Sequence, residues 1–297
     1  MDIEVLGALA VQENGVSVTP TAPKPRQVLA LLALHADRVV PVSALIEELW
    51  GTTPPRSART TLQTYVLQLR ELIAAALDGG GRDRAPGDGA DGAGGVRGEG
   101  ARGERGPRSA KDVLVTMPSG YLLAAGDGES DVRAFERLAG TGYRAMDAGD
   151  FPGAARQLRQ ALALWSGTAF ADVQAGVQLD METRRLEESR LCALDQRIEA
   201  DLRLGRHREL LAELTVLVSR YRAHESLHGQ FMLALYRSGR RGEALEVYQR
   251  LRTTLVRDLG LEPSAGLRRL QRSILTASPE TAVPPPGAAK ERLVPTS

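Results

Sequence analysis

The sequence predicts a mostly α-helical protein with a small β component, arranged as two folded blocks. Three observations predict it. Only 4% of the 297 residues are aromatic and Leu and Ala dominate the apolar set, which favours helices over a β-sandwich. Apolar residues recur at helical spacing through most of the chain, while short strand-like runs occur only near its start and at 113–125. A Gly-rich stretch of alternating charge at 79–110 separates the blocks. Without apolar residues it cannot repay the entropy of ordering, so a disordered insert is expected there. The Pro-rich stretch 278–297 reads the same way.

Charge and composition exclude several classes. Lys and Arg number 38 against 37 Asp and Glu, and residues 1–76 hold 6 basic and 7 acidic groups. Any DNA binding would therefore not come from net charge, and one copy should bind weakly. A single cysteine, Cys192, excludes a disulfide framework and a Cys-rich zinc site. No secretory leader and no run of about 18 apolar residues is visible, so a cytoplasmic protein without membrane contact is expected.

The first block begins with two apolar runs, then Asn14-Gly15 before VSVT, the strongest short hairpin signal because both turn positions tolerate positive φ. Lys24-Pro25-Arg26 leads a first helix with Val28, Leu31, Leu32 and His35 on one face. Val39-Val40 reads as no more than a bridge. Ser43 is placed to cap a second helix that runs to Trp50, and Gly51 stops it. A third helix spans about 57–77, with Leu62, Val66, Leu69 and Ile73 as a narrow apolar stripe. At about 100° per residue, Thr60, Thr64, Leu67, Gln68 and Glu71 lie opposite, flanked by Thr61 and Gln63. VLVTMPSGYLL then supplies two strands joined at Pro118-Ser119-Gly120. This order is that of a winged helix-turn-helix, whose third helix enters the major groove. The bland alternative is a small α+β domain with a merely solvated helix.

From Asp131 helix follows helix. Gly149, Gly205 and Gly239 each precede a polar residue and an apolar-periodic run, and the last two lie 34 residues apart, the length of a tetratricopeptide repeat. Such units bury their faces only by stacking, leaving a concave surface for proteins. The expected domains are 1–125, carrying the insert 79–110, then a tetratricopeptide-like domain at 126–277 and a tail at 278–297.

Little catalytic chemistry is visible. His224-Glu225-Ser226-Leu227-His228 matches H-E-x-x-H, the zinc-hydrolase helix motif, but only Glu243 or Glu246 could serve as third ligand, and both sit in a repeat helix. Cys192 reads as a small buried apolar residue and Trp50 and Trp165 as core plugs. No Gly loop cradles a phosphate. A non-enzyme without catalytic residues, cofactor or metal is expected, either a DNA-reading regulator or a repeat-type adaptor whose winged domain only holds proteins.

The runs KPRQVLALLALHADRVVPVSALIEELWG, ARTTLQTYVLQLREL and VTMPSGYLL resemble the winged helix-turn-helix of the Streptomyces antibiotic regulatory proteins. Residues from RYRAHESLHG to RLQRSIL are similar to the end of that family's bacterial transcriptional activation domain. Nothing after Leu275 resembles the further domain of larger relatives, so the short two-domain class is expected. The resemblance implies a pathway-specific activator that binds direct repeats of double-stranded DNA near the −35 region of antibiotic biosynthesis promoters. It also implies RNA polymerase holoenzyme with its sigma factor as a partner, and a second copy on DNA. By position it assigns Thr60, Thr61, Gln63, Thr64, Gln68 and Arg70 to base reading. Lys24, Arg26, Arg56, Arg59 and Tyr121 fall to backbone or wing contact. Glu71 departs from the family's pattern, since a carboxylate there repels phosphate.

Overall fold

The computed structural model describes residues 1–79 and 108–276. Its chain forms two compact units, one built from Met1–Arg144 with Arg156–Leu194 and the other from Ala145–Ala155 with the chain from Asp195 onward. The division falls inside the helical block, because the early strands take partners from residues 129–172.

In the first unit, β1 (Asp2–Glu4), β2 (Ala10–Glu13) and β3 (Val16–Ser17) form an antiparallel sheet in that order. Asn14 and Gly15 turn between β2 and β3 at φ 53° and 78°. Ile3 bridges Ser130, and the N–H groups of Ser166 and Phe170 donate to the carbonyls of Leu6 and Val5. The Asp131 carboxylate accepts from the N–H of Val5 at 2.7 Å and of Leu6 at 2.8 Å, while burial pushes its pKa up.

Helix α1 (Pro23–Leu34) is more deeply buried than a one-face reading allows, since Val28 through Ala33 are all in the core. His35 instead ends the helix, half-buried. Val39–Pro41 is a full strand, β4, beyond the bridge expected from two valines. It pairs with β6 (Gly120–Leu123), which also pairs with β5 (Leu114–Met117). A strand this short gains its ladder only when the distant wing supplies the partner, which local sequence does not display. Helix α2 (Val42–Trp50) starts two residues early, with Pro41 preceding it, so Ser43 is exposed within the first turn and caps nothing. Helix α3 runs Ala58–Gly79. Beyond the residues left undescribed, Ser109 leads the short α4 (Ala110–Val113), its N–H donating to Asp112 at 2.9 Å. Residues 79 and 108–110 are thus ordered ends of the expected insert, and its remainder lies outside the described residues.

The next helices are α5 (Asp131–Asp147), α6 (Phe151–Ala163) and α7 (Val177–Arg203). Trp165 is buried, edge-on to Phe135 at 5.5 Å, as a core plug should be; Trp50 is half-buried. Cys192 is exposed on α7 and has no core role, because Ala193 takes the inward position. The first turn of α7 rests on a buried carboxylate of α2. Glu48, 2% exposed, accepts from the N–H groups of Gly176 (2.5 Å), Gln178 (2.8 Å) and Leu179 (3.1 Å). The Gln27 side-chain amide donates to the same carboxylate at 2.8 Å. Gly176 allows this approach, since a Cβ there would lie 2.0 Å from the Glu48 carbonyl oxygen.

The second unit is set by one turn repeated three times. Gly149, Gly205 and Gly239 adopt φ of 75°, 78° and 81°. Each glycine N–H donates to the carbonyl three residues back, and the next residue's N–H to the carbonyl five back, as in a Schellman turn. The turns after Gly205 and Gly239 lead to α8 (Leu211–Arg220) and α10 (Arg241–Thr254), with α9 (Glu225–Arg237) packed against both. A π turn at Leu255–Leu259 and α11 (Ala265–Thr276) complete the unit.

Glu48→Ala strands three buried or part-buried backbone donors, while the Gln27 amide keeps its bond to the carbonyl of residue 48, and should lower the unfolding free energy by about 3 kcal/mol. Glu47→Ala loses one exposed bond to Gln178 and should change it by less than about 0.5 kcal/mol. Urea titration compares the two; equal losses would show that the cap has no special weight.

Candidate nucleic-acid interface

The interface candidate is built on α3. Leu62, Val66, Leu69 and Ile73 are buried as their spacing predicts, and α3 packs through them on α1 and α2. This burial fixes which residues face outward. Thr60, Gln63, Thr64, Gln68 and Glu71 are exposed, and Thr61 is half-buried at the edge of the stripe. The Thr64 hydroxyl donates to the Thr60 carbonyl at 3.2 Å and keeps lone pairs for an incoming donor. The row also contains Leu67, 57% exposed, an apolar side chain set among amides and hydroxyls.

The cations divide into two groups. Arg56 and Arg59 are exposed at the start of α3 and make no hydrogen bond or ion pair among the described residues. There the helix dipole adds to their charge, a favourable place for an anion. The other cations of the sequence reading are committed inside the protein. The Lys24 ammonium donates to the Leu49 carbonyl at 2.7 Å and to Gln27 at 3.2 Å, closing the negative end of α2. Arg26 pairs with Asp172 at 2.7 Å. Arg70 donates through Nη2 to the Leu114 carbonyl and the Thr116 hydroxyl, both at 2.7 Å, and so ties α3 to the wing. Tyr121 is 7% exposed, inside the β4–β6–β5 sheet opposite Val40 and Thr116. Sequence position cannot separate these groups, because the partners of Arg26 and Arg70 lie far along the chain. Lys111, exposed on α4 beside α3, escaped that reading because the low-complexity insert hides its helix.

The H-E-x-x-H residues have other tasks. His224 Nδ1 accepts from the Leu227 N–H at 3.3 Å as the cap of α9. Glu225 accepts from the Ser264 N–H at 2.7 Å, holding the chain ahead of α11. His228 is buried, and burial lowers its pKa from the ordinary histidine value. No group of three His, Cys, Asp or Glu suited to a metal occurs among the described residues. No helix among them is long and apolar enough to cross a membrane.

Residues 16–80 match the family described as "Transcriptional regulatory protein, C terminal", and residues 130–275 match "Bacterial transcriptional activator domain". The chain is 52% identical over 279 residues to the regulatory protein DnrI of Streptomyces peucetius, covering 94% of this chain and 93% of that protein. It is 34% identical to the regulatory protein AfsR of Streptomyces coelicolor, over 94% of this chain but 24% of that one. Its fold is similar to that of Mycobacterium tuberculosis EmbR, solved with a low-affinity phosphopeptide. The TM-score is 0.76 at 32% identity, covering 92% of this chain and 64% of EmbR.

Two expectations follow. Arg70→Ala should lower stability by about 1–2 kcal/mol, because two carbonyl-side bonds and one hydroxyl bond to β5 are lost. Denaturant titration checks this, and an unchanged midpoint would show that the arginine does not hold the wing. The second concerns His228. Its folded-state pKa lies below that of the unfolded chain, so the unfolded chain takes up the proton first as pH falls. The stabilisation is complete above about pH 6.5 and is lost on acidification through the folded pKa. Between pH 7 and pH 5, Tm should therefore fall less for His228→Asn than for the natural protein, measured by calorimetry.

Proposed function

This chain belongs to the Streptomyces antibiotic regulatory protein family of transcriptional regulators, and we propose that it activates its promoters by reading tandem direct repeats and recruiting RNA polymerase holoenzyme there. It is not an enzyme. The observation that carries the reading is the outward row of α3, where neutral hydrogen-bonding side chains stand on a helix pinned by its opposite face. Gln63 and Gln68 can each bond an adenine edge through both amide atoms, and the Thr60 and Thr64 methyls, with Leu67, suit thymine methyls. Arg56 and Arg59, joined by Lys111, supply backbone contacts. The internal engagement of Lys24, Arg26, Arg70 and Tyr121 supports a supporting role for those four.

With so few free cations on the winged part, one copy neutralises few phosphates. Two copies on adjacent repeats, about one or two helical turns apart, give the affinity that one lacks. Control of an antibiotic biosynthesis pathway is part of the same proposal.

Base reading and phosphate holding separate by mutation. Gln68→Ala should cost roughly 1–3 kcal/mol on the specific site, relax preference at one base and leave the salt slope unchanged. Arg59→Ala should weaken all DNA alike and flatten the slope by about one unit. Mobility shifts on single and tandem sites across a salt series measure both. If Gln68→Ala weakens random and specific DNA equally, or a lone half-site binds as tightly as the tandem, this reading fails.

A further inference from the structure

A different kind of surface lies wholly within the unit that continues from Asp195. Residues of α8, α9 and α10 line a groove of about 780 Å³. Val218, Phe231, Val247 and Leu251 give it an apolar floor. Arg222, Arg240 and Arg250 stand on its rim with a single carboxylate, Glu243. That carboxylate is engaged by Arg240 at 2.7 Å, leaving two guanidiniums in excess. Arg250 reaches only to 4.0 Å from the exposed Glu246, a pairing that water largely screens. Arg222 makes no hydrogen bond or ion pair among the described residues, and the Asp258 carboxylate in its neighbourhood is bound by Arg257.

The groove also presents acceptors. The hydroxyls of Thr215, Ser219 and Thr254 each donate to the carbonyl four residues earlier, which leaves their lone pairs directed outward. An apolar floor under a cationic rim excludes two simpler occupants. A phosphate backbone would satisfy the arginines but fill none of the floor, and an uncharged apolar segment would leave the rim unmatched.

We propose that this groove docks an acidic segment of a partner protein, anchored by apolar side chains in the Val218–Phe231–Val247 floor. Complementary charge sets the choice of partner and apolar burial supplies the residence. The surface is separate from α3, so the proposal stands whether or not α3 reads bases.

The test uses the full chain and a fluorescein-labelled helical peptide with Leu at i, i+3, i+4 and i+7 and Asp or Glu elsewhere. A second peptide carries Lys at every acidic position, and unlabelled polyglutamate and random duplex DNA serve as competitors. By anisotropy, the acidic peptide should bind at least about tenfold more tightly than the basic one. Arg222→Glu combined with Arg250→Glu should weaken it by about tenfold or more while Tm and promoter-DNA affinity hold. Should the charge reversal lower Tm, Arg222→Gln with Arg250→Gln serves in its place. Absence of binding, equal binding of the two peptides, or undiminished affinity in the folded variant would overturn the proposal. Displacement by polyglutamate at equal charge would overturn it, because no apolar anchor would then be needed. Displacement by duplex DNA would make the groove a phosphate surface and overturn it too.

Discussion

A buried carboxylate at the end of α2 organises the first unit. Glu48 gathers three N–H groups at the start of α7 and the amide of Gln27, so four donors meet one largely buried anion. In low dielectric such charge-assisted bonds are strong, and each donor would be costly to leave unpaired. The positive end of a 27-residue helix faces the same charge and adds to the attraction. Because α2 leads through a short turn into α3, the carboxylate that seats α7 also constrains where α3 begins. Helix α3 is thereby tied to a helix inside the stretch that matches the bacterial transcriptional activator domain.

This arrangement explains an otherwise awkward charge balance. A winged domain with 6 basic and 7 acidic groups in residues 1–76 has little positive field. Much of its basic complement serves the fold: Lys24 closes α2, Arg26 pairs with Asp172, and Arg70 fastens the wing. The groups that the proposal leaves for DNA are neutral side chains on α3, a pair of arginines at its start and Lys111 on α4. Such a surface favours base contacts over general electrostatic attraction.

The second unit relies on backbone geometry. Three glycines in the left-handed region close three helices with the same pair of hydrogen bonds. A groove lined by α8, α9 and α10 lies in this unit, with its own pattern of floor and rim.

The sequence by itself determined the parts that depend on local periodicity and turn chemistry. The α3 stripe, the Asn14-Gly15 hairpin and the three glycine turns were legible because spacing and φ preference are properties of short segments. Only the tertiary structure decided the rest. Val39–Pro41 became a strand when β6 arrived from 80 residues away, and Cys192 turned outward because Ala193 faced the core. Which cations remain available to DNA was decided in the same way. Whether an arginine is free depends on the carbonyls and carboxylates that folding brings to it. For Arg70 those lie 44 and 46 residues distant, and for Arg26 beyond the whole winged part. Composition counts charges, but only the packed chain pairs them.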